Sequence, residues 1–249
     1  MERPTFQNPF PSPRQAVERL AVFHHAGGSS YSFLKLARAL AGHYEVLLAE
    51  IPGRATRQQE PAPASLLDFA RAAAAELKTD LPLTLYGHSM GAGLAYECAV
   101  ALEEKGAAVK RVVVSCCRAP GAQHMPSTLR ERAPDTWTDA DLLRAMTAFG
   151  RIPKALESAE AQAYFLPLFR QDLSLIRQYR SEARLLTAPI LGIAGREDGE
   201  VRPTAMGEWA QYTRGQFQLR TEAGGHFCVL EDPALLLSLF ERLAASSPC

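Results

Sequence analysis

The sequence predicts an α/β fold built on a mostly parallel, doubly wound sheet, and three observations carry that expectation. Short apolar, β-branched runs alternate with longer helical stretches along most of the 249 residues. Strands separated by helices in this way need crossover connections, which make neighbouring strands parallel. The composition, 47% hydrophobic and 22% charged, supplies a large core and is unlike that of a disordered chain.

The elements follow in order. Leu-Ala-Val-Phe at 20–23 reads as the first strand, followed by a helix over 31–41. The run Tyr-Glu-Val-Leu-Leu-Ala makes 44–49 the second strand, and 65–78 the next helix. Leu-Thr-Leu-Tyr at 83–86 leads into a helix over 92–105, and Arg-Val-Val-Val-Ser at 111–115 is the fourth strand. Two more strands are expected at 190–194 and 216–220, with helices at 204–212 and 233–245. Between 117 and 189 no strand pattern occurs. A structureless loop of that length would be unusual. Helical periodicity at 138–149 and 160–180 instead predicts a helical insertion, about 121–185, standing as a lid over one edge of a single domain spanning 1–249.

Composition also narrows function. Lys and Arg total 27, Asp and Glu total 27, and the formal net charge is zero. Nucleic-acid binding, which needs a basic excess, is not expected. No apolar run approaches the roughly 18 residues of a membrane span. Residues 1–13 are polar and proline-rich and lack the pattern of a secretory signal. The five cysteines (Cys98, Cys116, Cys117, Cys228 and Cys249) are odd in number and contain no CxxC pair. Neither a disulfide framework nor a zinc site follows, and the expectation is a reduced cytoplasmic protein without a metal.

The chemistry-bearing segment is Gly87-His88-Ser89-Met90-Gly91, a G-x-S-x-G sequence set between a strand pattern and a helix pattern. That setting forms a nucleophile elbow. The sharp turn strains the serine backbone, and the glycines two residues to either side leave space where side chains would collide. Ser89 Oγ would then project above the sheet at the positive end of the following helix. A glycine-rich helix start with a capping serine is the plainer alternative.

A nucleophilic serine needs a base. Six histidines are available: His24, His25, His43, His88, His124 and His226. His226 lies in Ala223-Gly224-Gly225-His226-Phe227, a loop after the last strand that can bring its imidazole over the serine. His88 adjoins Ser89, but adjacent side chains diverge on a sharp elbow. His24 and His25 would be a surface or metal pair, although no further ligand spacing supports a metal. The orienting acid is expected between serine and histidine in the chain. Asp198 follows the strand at 190–194, 109 residues after Ser89 and 28 before His226. Glu197 and Glu200 compete with it and read as solvated loop charges. Residues 23–29, Phe-His-His-Ala-Gly-Gly-Ser, follow the first strand, and their small side chains let the backbone approach a ligand. The Ala26 and Met90 N–H groups are the expected oxyanion donors.

Taken together, these segments resemble the type II thioesterases of the α/β-hydrolase fold, the stand-alone editing enzymes of polyketide and nonribosomal peptide synthesis. The likeness covers nearly the whole chain. It rests on residues 23–29 (similar to F-P-x-A-G-G-S), Pro52-Gly53-Arg54 with Glu60-Pro61, Gly87–Gly91 with histidine before serine, Tyr179-Arg180, Asp198, and Gly225-His226-Phe227. His24 and His25 stand where that family carries proline and an aromatic residue.

The resemblance implies Ser89, Asp198 and His226 as a triad. It also implies an acyl group presented as a thioester on the phosphopantetheine arm of an acyl or peptidyl carrier protein. The enzyme would need no cofactor of its own, and a monomer is the default expectation. Leu142, Met146, Phe149, Phe165 and Phe169 are candidate walls of an acyl chamber. Arg54, Arg57, Arg130, Arg132, Arg151 and Lys154 could form a basic patch for an acidic carrier, each with a solvated surface charge as its alternative. A carboxylesterase or lipase, an acyltransferase, and an inactive carrier-binding scaffold are the competing readings.

Overall fold

The computed structural model describes residues 3–13, 16–122, 125–150, 156 and 158–245. Seven strands form one sheet: β1 (Phe6–Gln7), β2 (Glu18–Phe23), β3 (Tyr44–Ala49), β4 (Leu83–His88), β5 (Arg111–Ser115), β6 (Ile190–Gly195) and β7 (Phe217–Glu222). Their spatial order is β1-β3-β2-β4-β5-β6-β7. All pairings are parallel except β1 with β3. The six strands read from the sequence are present. The antiparallel edge strand β1 is not visible there, because two residues in a proline-rich segment carry no periodicity.

The parallel register places Val22, Tyr86, Val113 and Leu191 on adjacent strands, all facing one side. That side packs under α1 (Leu34–Leu40) and α8 (Pro233–Ala245), through Leu36, Leu40, Leu236 and Phe240. Ala21, Leu85, Val112 and Val114 face the other way, toward α2 (Leu66–Glu76) and α3 (Met90–Glu104). Burial on both faces is why these strands read as continuous apolar runs rather than alternating ones.

Helix boundaries shift for local reasons. The segment at 31–41 opens as a 3-10 turn, Ser30–Phe33, before α1. The stretch at 204–212 divides into α6 (Pro203–Met206) and a 3-10 turn, Gly207–Tyr212. Between β5 and β6 lie α4 (Asp139–Ala148) and α5 (Ala159–Gln178). Thr138 caps α4 in a reciprocal box with Asp141, and Ser158 accepts from Ala161 N–H to cap α5. Among the described residues no helix is long and apolar enough to cross a membrane.

Strands β2, β4, β6 and β7 each deliver a loop of interest at the C-terminal end, where parallel α/β sheets carry their ligands. β2 runs into residues 24–28, β4 into Ser89, β6 into Asp198, and β7 into the His226 loop, which leads on into the short helix α7 (Cys228–Glu231).

Candidate active site

Ser89 sits between β4 and α3 with φ 54° and ψ −123°, a left-handed conformation that a non-glycine residue holds only under constraint. The constraint is visible on both sides. A Cβ at Gly87 would lie 1.9 Å from Gly91 O, and a Cβ at Gly91 would lie 2.1 Å from Phe23 O. Only glycine fits at either position, and the second contact brings the first turn of α3 against the end of β2. Ser89 N–H donates to Ser115 O at 2.9 Å, which pins the elbow to β5.

His226 Nε2 lies 3.0 Å from Ser89 Oγ, and His226 Nδ1 lies 2.7 Å from Asp198 Oδ2. A carboxylate only accepts, so Nδ1 carries the proton and donates, and Nε2 is left to accept from the serine hydroxyl. Asp198 Oδ1 accepts from the Glu200 and Val201 N–H groups at 2.9 and 3.0 Å, which fixes the carboxylate plane. The three acids of the loop therefore separate. Asp198 reaches the imidazole, Glu197 accepts from Gly224 N–H, and Glu200 accepts from Ser127 N–H and its hydroxyl. Glu197 is exposed, as the sequence suggests, while Glu200 is half-buried; each carboxylate is held by loop N–H groups and not by the imidazole.

His88 points away from Ser89. Its Nδ1 lies 2.8 Å from Ser115 Oγ, which also meets Tyr86 OH at 3.0 Å. His24 and His25 correct the expectation of a surface or metal pair. His24 is buried and donates from Nδ1 to His25 O at 2.9 Å, and His25 donates from Nδ1 to Ala26 O at 3.0 Å. Both rings brace the backbone of the loop that carries Ala26. The His25 ring packs 5.2 Å from Phe227, and Phe149 lies 4.5 Å from the His226 ring. Ala26 and Met90 N–H donate to no acceptor among the described residues, and both line the same cavity as Ser89 and His226. His124 lies outside the described residues.

That cavity has a volume of about 860 Å³. Met146, Phe149, Phe165 and Phe169 line it together with Ser89 and Met90, and Leu173 and Ile176 extend the apolar wall along α5. Leu142 does not line it; its side chain is fully buried in the main core. The basic-patch expectation fails for two of its members. Arg54 is fully buried against Asp172, and buried Arg57 binds Glu60 and Glu50 O, so neither is a docking charge nor a solvated one. Arg132 is paired with Asp141, while Arg151 and Lys154 lie outside the described residues. The lysine and arginine side chains that do line the cavity are Lys35 and Arg118.

Cys98, Cys116, Cys117 and Cys228 are buried and in no disulfide among the described residues, and Cys249 lies outside them. The Cys116 thiol, Asp198 and His226 offer potential ligand atoms within 4.8 Å of one another. A hydrogen bond with Cys228, together with burial, holds the Cys116 thiol well above its usual pKa. Asp198 and His226 are already engaged with each other in this group.

The cluster of neutral rings has a consequence for acid stability. Burial lowers the pKa of His24 and His88 well below 6.5, and that of His25 to about 4. Below about pH 6.5 the unfolded chain binds protons that these rings refuse in the fold, so stability falls as pH falls. Each ring contributes up to about 1.4 kcal/mol per pH unit. Glu50 and Glu97, raised by burial, oppose part of that loss nearer pH 5. The melting temperature is expected to drop between pH 7 and pH 5. A flat profile would show that these rings take up protons without unfolding.

The parallel sheet, the strained elbow serine and the hydrogen-bonded Ser89–His226–Asp198 series define an α/β-hydrolase. Within that class the chain belongs to the thioesterase domain family, whose model matches residues 18–245. It is 33% identical over 223 residues to the thioesterase PikA5 of Streptomyces venezuelae, covering 87% of this chain and 77% of that one. A probable cadicidin biosynthesis thioesterase of Streptomyces griseus is 33% identical over 221 residues, covering 87% of this chain and 59% of the relative. Among solved structures, the type II thioesterase BorB from the borrelidin biosynthetic cluster superposes with a TM-score of 0.84 at 30% identity, covering 95% of this chain and 96% of that one. The fold and the family expected from the sequence are thereby established, with thioester hydrolysis as the class of activity.

Proposed function

We propose that this thioesterase hydrolyses acyl groups held as thioesters on the phosphopantetheine arm of a carrier protein, and so clears stalled or aberrant acyl units from a polyketide or nonribosomal peptide synthase. The observation that carries the reading is the Ser89–His226–Asp198 series opening onto an apolar cavity of about 860 Å³. An acyl chain fills such a cavity, while α4 and α5 act as the lid that keeps bulk water from it.

Ser89 Oγ attacks the thioester carbonyl carbon as its proton passes to His226 Nε2. The imidazolium is held by Asp198. The oxyanion is met by the Ala26 and Met90 N–H groups. Collapse breaks the C–S bond, and the departing sulfur takes the proton from His226. This leaves acyl-Ser89 and a free pantetheine thiol. Water then attacks the ester as His226 takes its proton and returns it to Ser89 Oγ, releasing the carboxylic acid. No cofactor is consumed. One chain supplies every group, which fits a monomer. A thiol with a pKa of about 8.5 leaves far more readily than an alkoxide, which favours thioesters over oxygen esters at this site.

The test loads a carrier protein with acetyl, butyryl and longer acyl groups and follows its mass. Release of free holo-carrier, faster than hydrolysis of the matching acyl-CoA, is expected. Intact acyl-carrier alongside rapid cleavage of simple oxygen esters would reassign the chain to the carboxylesterases. Transfer of the acyl group to an added alcohol or amine would make it an acyltransferase.

A further inference from the structure

The strongest unassigned feature is a buried ion pair beside the loop that carries Ala26. Arg54 and Asp172 are both 0% exposed and meet through a bidentate pair of bonds, 2.7 Å from Nη1 to Oδ2 and 2.6 Å from Nη2 to Oδ1. Such a fork is the strongest form of this contact, and a lysine cannot reproduce it. Both partners also reach the loop. Asp172 Oδ2 accepts from Gly27 N–H at 2.7 Å, and Arg54 Nη1 donates to Gly28 O at 3.0 Å.

A second, independent contact joins the same parts. Gly27 has φ +71°, and a Cβ there would stand 3.2 Å from Phe169. Phe169 and Asp172 are three residues apart on one face of α5, and Phe169 also lines the cavity. Helix α5 therefore touches the acyl cavity and grips the residues that follow Ala26.

We infer that Arg54 and Asp172 are positioning residues that tie helix α5 to the 24–28 loop, so that the seat of α5 sets where the Ala26 N–H points. The inference rests on the reading of Ser89 as nucleophile and Ala26 N–H as oxyanion donor. Stability alone does not account for the pair. A buried ion pair is often no more stabilising than apolar residues of the same volume, whereas this one spends two of its bonds on loop backbone. An acyl chain that packs against Phe169 and Leu173 holds α5 in place and keeps the donor aligned. A displaced α5 draws Gly27 and Gly28 with it and misaligns the hole. Chain preference would then be read in kcat as well as in KM.

The test uses two variants, Asp172→Asn and the apolar pair Arg54→Met with Asp172→Leu, which removes both charges together. Expected for each is a kcat lowered about 10- to 100-fold with KM within about two-fold, since a donor out of line costs part of what its loss would. Affinity for a trifluoromethyl ketone analogue, whose adduct carries the oxyanion, is expected to fall by the same factor. Affinity for an uncleavable thioether substrate mimic is expected to hold. Folded variants with unchanged kcat and unchanged ketone affinity would overturn the inference.

The wild-type protein supplies a further measurement that needs no variant. Amide exchange in residues 24–29 and 165–176 is expected to slow together when a long-chain thioether mimic binds, and slowing in one segment alone would overturn the coupling. A fluorophosphonate that fails to label Ser89 in the wild-type protein would overturn the nucleophile reading instead.

Discussion

Ser89→Ala is expected to abolish turnover, lowering kcat by about 10⁵- to 10⁶-fold, to the level left by binding and oxyanion contacts alone. The hydroxyl is the group in line with His226 Nε2 at 3.0 Å, and no other nucleophile is placed on the elbow. Cys116 and Cys117, the thiols that share the cavity, are held protonated by burial, Cys116 also by its contact with Cys228. The melting temperature is expected to stay within about 2 °C, because alanine inherits the same φ of 54° and the same backbone strain as serine. Acyl-carrier protein should survive incubation with the variant. Full activity in Ser89→Ala would overturn the mechanism, and a large fall in melting temperature would mean that the hydroxyl is structural.

The second large effect is at Asp198. Its Oδ2 holds His226 Nδ1–H, so asparagine would present either an amide N–H against that proton or an oxygen without charge. The first arrangement drives the imidazole into the tautomer with a proton on Nε2, which cannot accept from Ser89. The second leaves the imidazolium unsupported. In the Ser-His-Asp template this change costs about 10⁴-fold in kcat, and a loss of about 10³- to 10⁴-fold is expected here. Glu197→Gln and Glu200→Gln should each cost far less, since both carboxylates bind loop N–H groups rather than the imidazole. Comparable losses at Asp198 and at either glutamate would mean that the acid is shared.

These two expectations draw on different sources of information. The elbow was legible because its parts are consecutive in the chain: a strand pattern, five residues of G-x-S-x-G, then a helix pattern. Steric exclusion at Gly87 and Gly91 is a local requirement, so it leaves a local trace. His226 and Asp198 were legible through chain order and through the strands before them. The choice of Asp198 over Glu197 and Glu200 is different. All three lie within four residues, and which carboxylate turns toward His226 depends on the bonds that the other two make to Gly224 and Ser127.

What lay beyond sequence reasoning shares one physical cause, which is that burial and pairing are long-range. Arg54 reads as a surface cation because arginine usually is one, yet its partner lies 118 residues away on α5. His24 and His25 look like a ligand pair, but the turn they occupy folds both rings back on its own carbonyl groups. Leu142 shares a helix face with the cavity-lining Met146, yet it sits one turn deeper and joins the core instead. β1 forms only because residues 6–7 meet the edge of β3, which no local pattern encodes.

By itself, then, the sequence determined the order of strands and helices, the strained serine between them and the chain positions of its candidate partners. Each of those follows from periodicity or sterics over a few neighbouring residues. Only the tertiary structure decided which acid faces the histidine, which charges are buried, how large a cavity opens beside Ser89 and that helix α5 grips the backbone next to Ala26. Those outcomes depend on which distant groups share the same low-dielectric space, where an unpaired charge is too costly to persist.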